Sequence, residues 1–206
     1  MDYKQSQALT FGMELELQIV DTKTGKLSPS SAELWSELEK LPQHERFALE
    51  ATRSTIEVTT SIHDDSDEME EEARALVAIV KGIATSRGLD LRGGGTHIQQ
   101  FWNERVLTDT DRSQQLAAQY GFLPKRFSTY GMHVHVGMPG KEEAIMVANT
   151  MQALCPLFIA LSGASPYQQG QDTGFASARP LESIVYPYGG PMPRLANWAE
   201  FEQVAN

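Results

Sequence analysis

The chain has 206 residues, 41% of them hydrophobic and 21% charged, with a formal net charge of -10. That make-up is ordinary for a globular domain with a sizeable core, and its acidity argues against nucleic acid as a partner, because phosphate backbones are bound by Lys and Arg. No run approaches the roughly 20 uninterrupted apolar residues of a spanning helix, the N-terminus lacks the basic and apolar segments of a signal peptide, and the lone cysteine, Cys155, points to a reducing cytoplasm.

Residues 11–20, FGMELELQIV, alternate strictly, with Met13, Leu15, Leu17 and Ile19 on one parity and Glu14, Glu16 and Gln18 on the other. That period predicts a strand. A short helix fits SAELWSELEKL, stopped by Pro42, and residues 47–62 predict one or two strands rich in Thr and β-branched residues. A long helix follows, capped by Asp64, Ser66 or Asp67, with Met69, Ala73, Leu76, Val77, Val80 and Ile83 as its apolar stripe and Gly88 at its end. Its acidic start, HDDSDEMEEEAR, is expected to be solvated.

Residues 89–98 predict a strand entering a glycine-rich turn, 109–120 a polar helix, and 128–139 a second alternating strand, STYGMHVHVGMP. A second long helix is expected over 141–162, kinked at Pro156. Cys155 and the Met residues between 132 and 151 are expected to be core filler. From Gly163 to Pro193 the chain shows little periodicity, which favours a functional loop, and it closes on the opening of another helix. The order predicts an α+β fold: an antiparallel or mixed sheet covered by two long helices. A charge placed on the apolar parity, at Met13 or Leu15, is expected to damage folding.

Three strands share one design. Glu14 and Glu16 occupy the polar parity of the first. Glu57 lies opposite Ile56 and Val58 in the second, and His133 and His135 lie opposite Met132, Val134 and Val136 in the third. Residues two apart on a strand point the same way, so neighbouring strands of this kind converge three carboxylates and two imidazoles on one face. Each piece alone has an ordinary structural explanation. Together they suit divalent cations, and a carboxylate-dominated set favours Mg²⁺ or Mn²⁺ over zinc. Two such ions can clamp a polyphosphate. RGGGTH lacks the spacing of a phosphate-cradling loop, and reads as a turn passing close to other backbone. Arg179 is a candidate anion clamp.

FGMELELQIVD, STIEVTTS, GGTHI, GMHVHVGMP, LFIALSGASPYQQGQDTGFASAR and YPYGGPMP, in this order, resemble the type 2 glutamate–cysteine ligase family, bacterial carboxylate–amine ligases of the glutamine synthetase superfamily. The resemblance implies a curved antiparallel sheet with long helices packed on one face, ATP and Mg²⁺ or Mn²⁺ as cofactors, and amino acids such as glutamate and cysteine as substrates, in the cytoplasm. It leaves homo-oligomerisation open and implies no membrane.

Carried over by position, the resemblance makes Glu14 and Glu57 ligands of an ion near the substrate carboxylate. Glu16 and His133 become ligands of an ion on the ATP phosphates, with His135 beside the nucleotide. Arg179 falls near the transferred phosphoryl group, and Arg53 with the Thr96–His97 turn falls on the cofactor- and substrate-binding side. Family members are much longer. Residues 1–206 are therefore expected to be the N-terminal part of one catalytic domain, with much of the metal site but not a complete active site, and inactive alone. Two other readings stay open: a hydrolase or oxygenase using His133, His135 and one Glu, and a ligase-like domain that binds nucleotide without turnover.

Overall fold

Strand β1 (Phe11–Asp21) is central to the sheet in the computed structural model, which describes residues 2–126, 129–186 and 189–205. Along one edge it pairs antiparallel with β3 (Thr55–Thr59), which in turn pairs with β2 (Phe47–Leu49). Its other edge is shared end to end by β5 (Met132–Val136) and β4 (Leu89–Arg92), both antiparallel. Ser128, expected at the start of the fifth strand, and Pro187 with Tyr188 in YPYGGPMP lie outside the described residues.

The apolar parity builds the core on one face of this sheet. Leu17, Ile19, Ile56 and Val58 meet Leu34 and Leu38 of α1 (Ser31–Leu38) and Leu76, Val80 and Ala84 of α2 (Ser66–Thr85). Burial along β1 increases toward its C-terminal end, where Ile19 and Val20 are fully enclosed. Helix α1 stops at Leu38, short of the expected Leu41. The cap of α2 is Asp65, between the expected Asp64 and Ser66, accepting from the N–H groups of Asp67 and Glu68. Most of the acidic run is exposed as expected, but Glu72 turns inward. Its carboxylate accepts from Ser61 N–H at 2.8 Å and Ser61 Oγ at 2.9 Å, and lies 2.6 Å from His63 Nε2, tying α2 to the segment after β3.

After the glycine-rich turn come α3 (Asp111–Tyr120) and α4 (Leu123–Arg126), with Arg105 fully buried beneath them, donating to the carbonyls of Lys125 and Arg126. Helix α5 (Lys141–Leu161) departs from expectation. Only Ile145 of it is buried among the described residues, and it packs against α7 (Trp198–Ala205) rather than joining the core of the sheet. Cys155, Met146 and Met151 are exposed, as is Met132 on β5, so none is core filler. Its apolar residues are distributed around the helix rather than in one stripe, so periodicity could not assign it a buried face. By length and composition α5 is apolar enough to cross a membrane, but Asn149, Thr150 and Gln152 interrupt it, so it holds no uninterrupted apolar run of about 20 residues.

The segment from Gly163 is more structured than expected. It holds the hairpin β6 (Tyr167–Gln168) and β7 (Gln171–Asp172), turned at Gln169 and Gly170 with positive φ, and the short helix α6 (Arg179–Ser183).

Candidate functional site

Residues directly opposite each other in an antiparallel ladder point to the same face. The register places Glu16 opposite Glu57 across β1 and β3, Glu14 opposite His133 across β1 and β5, and Gly12 opposite His135. The five side chains singled out by alternation therefore stand on one sheet face, away from α1 and α2. Glu14 is the meeting point of the imidazoles. Its Oε2 lies 3.2 Å from His133 Nδ1 and 3.1 Å from His135 Nε2.

A second group forms beside it. Carboxylate oxygens of Glu16, Glu50 and Glu57 all lie within 4.8 Å of one another. Glu16 is anchored at both ends of its residue: Gly131 N–H donates to its carboxylate at 2.7 Å, and its own N–H donates to Gly131 O at 2.9 Å. Gly131 also makes room for the site, because a Cβ there would lie 2.6 Å from His133 Nε2.

The electrostatics of these acids differ by position. Burial pushes the Glu57 carboxyl up, and the neighbouring charges of Glu50, Glu14 and Glu16 add to this, bringing it to about 7. Glu16 is also raised, by burial first, against the opposing Gly131 hydrogen bond and with a further upward push from Glu50. Glu14 is lowered. Burial acts to raise it, but its contacts with His133 and His135 together outweigh that. Carboxyls held close together, with Glu16 and Glu57 raised by burial and by neighbouring acids, are stabilised by a divalent cation, and the all-oxygen donor set of Glu16, Glu50 and Glu57 matches Mg²⁺ or Mn²⁺. The residues fit the ion.

Glu14, Glu16, Glu50, Glu57 and His133 form the floor of a cavity of about 640 Å³, whereas His135 lines a separate hollow with Phe11 and Thr60. Leu49, Leu116 of α3 and Pro124 of α4 supply apolar wall, and Arg112 and Arg179 supply guanidinium groups. Arg179 is half-buried at the start of α6, its N–H donating to Ser165 Oγ at 3.0 Å. The glycine-rich turn sets its position. A Cβ at Gly95 would lie 3.1 Å from Arg179 Cδ and 3.1 Å from Ser165 Cβ. Thr96 Oγ1 donates to Tyr167 O at 3.0 Å, joining this turn to the β6–β7 hairpin. We expect Gly95→Ala to shift the Arg179 side chain by displacing what it rests on, weakening the binding of a phosphate-bearing ligand such as ATP about tenfold with little change in melting temperature. Calorimetric titration with ATP beside a thermal melt would check this, and unchanged affinity would show that Arg179 is not positioned this way.

The remaining sequence candidates lie outside this cavity lining. Thr96 is the buried link just described. His97 is buried with both ring nitrogens engaged: Nδ1 accepts from Gln99 and Gln100 N–H, and Nε2 lies 3.0 Å from Gly25 O. That pattern fixes the Nε2–H tautomer of a neutral imidazole, and burial lowers its pKa accordingly. Arg53 sits in the turn before β3, its N–H donating to Val106 O and its carbonyl accepting from Ser31 N–H.

Sequence reading missed Glu50, Arg112 and the role of Gln18. Glu50 follows β2 at the next place in the β2–β3 register after Leu49 opposite Ile56, sharing the parity of Ala48, which faces Glu57. That parity was the available signal, masked by a strand of three residues. Gln18 continues the polar parity of β1 but is buried, and its Nε2 donates to Gly93 O and Thr96 O. The floor of the site thus holds the glycine-rich turn directly.

The model of glutamate-cysteine ligase family 2 (GCS2) matches residues 10–206. Among curated relatives named "Putative glutamate--cysteine ligase 2", one from Nitrosospira multiformis is 37% identical over 203 residues, covering 98% of this chain and 55% of the relative. One from Leptothrix cholodnii is 38% identical over 205 residues, covering 100% of this chain and 55% of that one. The chain spans about half the length of the curated relatives it matches. A solved glutamate–cysteine ligase from Francisella tularensis, in complex with AMP, superposes with a TM-score of 0.56 at 13% identity, over 92% of this chain and 44% of that one, which shows a shared fold. With its family model matched from Thr10 onward, the chain belongs to glutamate-cysteine ligase family 2.

Proposed function

We propose that the chain carries the catalytic sheet of an ATP-dependent carboxylate–amine ligase acting on an amino-acid carboxylate such as that of glutamate and an amine such as that of cysteine. The observation that carries this is the meeting of Glu16, Glu50 and Glu57 beside the Glu14–His133–His135 group on one sheet face. In this reaction a substrate carboxylate oxygen attacks the γ-phosphorus of ATP, ADP leaves, and an acyl phosphate forms. The amine nitrogen then attacks the acyl carbon, phosphate departs, and the nitrogen loses its proton. Glu14, Glu16, Glu57 and His133, joined by Glu50, would hold Mg²⁺ or Mn²⁺, which when bound supply the charge that lets two anions approach.

The chain's own residues do the rest. His135, beside Glu14, fits the nucleotide end, and Arg179 fits the transferred phosphoryl group from the opposite wall. Gly131 holds the Glu16 carboxylate by a backbone hydrogen bond, so its lone pairs are aimed before any ligand arrives. No protein nucleophile is required. The membership of the chain in its family supports the reading, and so does the AMP in the structure that shares its fold.

Titration of the protein with Mn²⁺, followed by loss of the free-ion paramagnetic signal, tests this directly. We expect Mn²⁺ binding that tightens in the presence of ADP. Tighter binding of Fe²⁺ or Zn²⁺ with no response to nucleotide would instead identify a His133, His135 and Glu14 centre of hydrolase or oxygenase type and overturn the ligase reading.

A further inference from the structure

The cavity is divided by charge. Its floor carries Glu14, Glu16, Glu50 and Glu57, and the guanidinium groups that line it are those of Arg112 and Arg179. Neither guanidinium makes a hydrogen bond or ion pair among the described residues, so both are available to a ligand. Their positions differ. Arg179 exerts a minor downward pull on the Glu16 carboxyl, which stays raised overall, whereas Arg112 is not among the main influences on Glu14, Glu16 or Glu57. Arg112 is exposed in the first turn of α3, and Leu116, one turn further on the same helix, lines the cavity with it.

An amino acid with two carboxylates poses a problem for such a cavity. One carboxylate must reach the floor, where cations and the nucleotide phosphate meet. The second enters a space dominated by four acids, and it is repelled unless a cation receives it. We propose that Arg112 receives this second carboxylate and thereby selects dicarboxylic amino acids as the substrate to be activated. The assignment rests on the ligase reading above and adds to it a residue that confers substrate selectivity. Guanidinium is suited to this because its fork can hold a carboxylate with two parallel hydrogen bonds. Leu116, Leu49 and Pro124 give the methylene chain of the substrate an apolar wall. Arg179, nearer the acids, is left free for the phosphoryl group.

Calorimetric titration of the Mn²⁺-loaded protein with L-glutamate and with 4-aminobutyrate tests the assignment. The second compound keeps the amine and the carboxylate to be activated but lacks the other carboxylate. The parent is expected to prefer glutamate by about tenfold or more, the scale of one charge-assisted carboxylate pair. Arg112→Ala should lose that preference by weakening glutamate alone, with Arg112→Lys retaining part of it and ADP affinity unchanged in both. Among the described residues the exposed Arg112 side chain makes no hydrogen bond or ion pair, so both variants should melt with the parent. A preference for glutamate that survives in Arg112→Ala overturns the assignment, and so does a loss of ADP affinity with glutamate binding intact, which would make Arg112 a phosphate contact. Failure of the parent to bind Mn²⁺ and ADP would overturn the ligase reading itself, and the assignment of Arg112 with it.

Discussion

Replacing Glu57 by Gln is expected to stabilise the metal-free protein and to cripple its binding of Mn²⁺. The two effects share one cause. In the folded chain the Glu57 carboxyl is raised from its ordinary value to about 7, by burial and by the charges of Glu50, Glu14 and Glu16. Below pH ~4.5 both folded and unfolded chains hold this proton, and it contributes nothing to stability. Between about 4.5 and 7 the unfolded chain releases it and the folded chain keeps it, so stability falls as pH rises; above about 7 the loss is complete. After allowance for solvent screening of a half-buried group, the loss is on the order of 1 to 2 kcal/mol. For a chain of this length that is a shift of about 2 to 8 °C in melting temperature.

Glu57→Gln removes the charge and should therefore melt higher than the parent at pH 8 but equally with it at pH 4. Mn²⁺ should reverse the order. Binding to the native state raises the parent's melting temperature by mass action, whereas the variant, short of one donor, should bind at least ~10-fold more weakly. Thermal melts at pH 4, 6 and 8, with and without Mn²⁺, provide the measurement. If Glu57→Gln were destabilising at pH 8 without metal, the acids would not be a strained cluster awaiting cations, and the site would have to be reconsidered.

Alternation made the site legible because the physics of a strand is local. A side chain two positions along must return to the same face, whatever the rest of the fold does. Glu14 and Glu16 needed no tertiary information to be placed together, and Glu57, His133 and His135 needed only that their strands neighbour β1. Glu50 escaped because it stands just past a strand too short to show a period. Arg112 escaped because a lone arginine on a polar helix carries no pattern, and the cavity that gives it meaning is assembled from four separate parts of the chain. Helix α5 shows the opposite failure. Its length and boundaries follow from composition, yet hydrophobicity alone does not tell which neighbour covers a helix, and α5 leaves Leu154, Leu157, Phe158 and Leu161 exposed. His97 was drawn into the site by its place beside the glycine-rich turn. Its real partners, Gly25 O and the N–H groups of Gln99 and Gln100, are set by a loop conformation that sequence does not encode in any short motif.

The other face of β1 carries the largest expected loss. Ile19→Asp should unfold the chain, although Glu16 and Gln18, close by on the same strand, point their polar groups the opposite way. Ile19 is fully buried among Leu34, Leu38, Ile56 and Val80, and its N–H and C=O are already paired with Ser54 and Ser28. A carboxylate there would find no hydrogen-bond partner and no water. Burying it uncompensated costs several kcal/mol or forces it to stay protonated, on top of the lost apolar contacts. That matches much of the roughly 5 to 15 kcal/mol that holds a domain together.

The effect should fade toward the N-terminal end of β1, where burial declines. Leu17→Asp should be severe, Leu15→Asp moderate because Leu15 only borders the core, and Met13→Asp milder still because Met13 is half-buried outside it. The sequence alone treats Met13 and Leu15 as equivalent core positions; the graded burial separates them. Ile19→Val, which removes one methyl, should cost about 0.5 to 1.5 kcal/mol and serves as the reference that the site tolerates handling. Urea unfolding followed by circular dichroism would order the series. A cooperative Ile19→Asp transition within about 1 kcal/mol of the parent would mean that this parity does not form the core. Without a fixed apolar face, nothing would hold the acids and imidazoles to the opposite one.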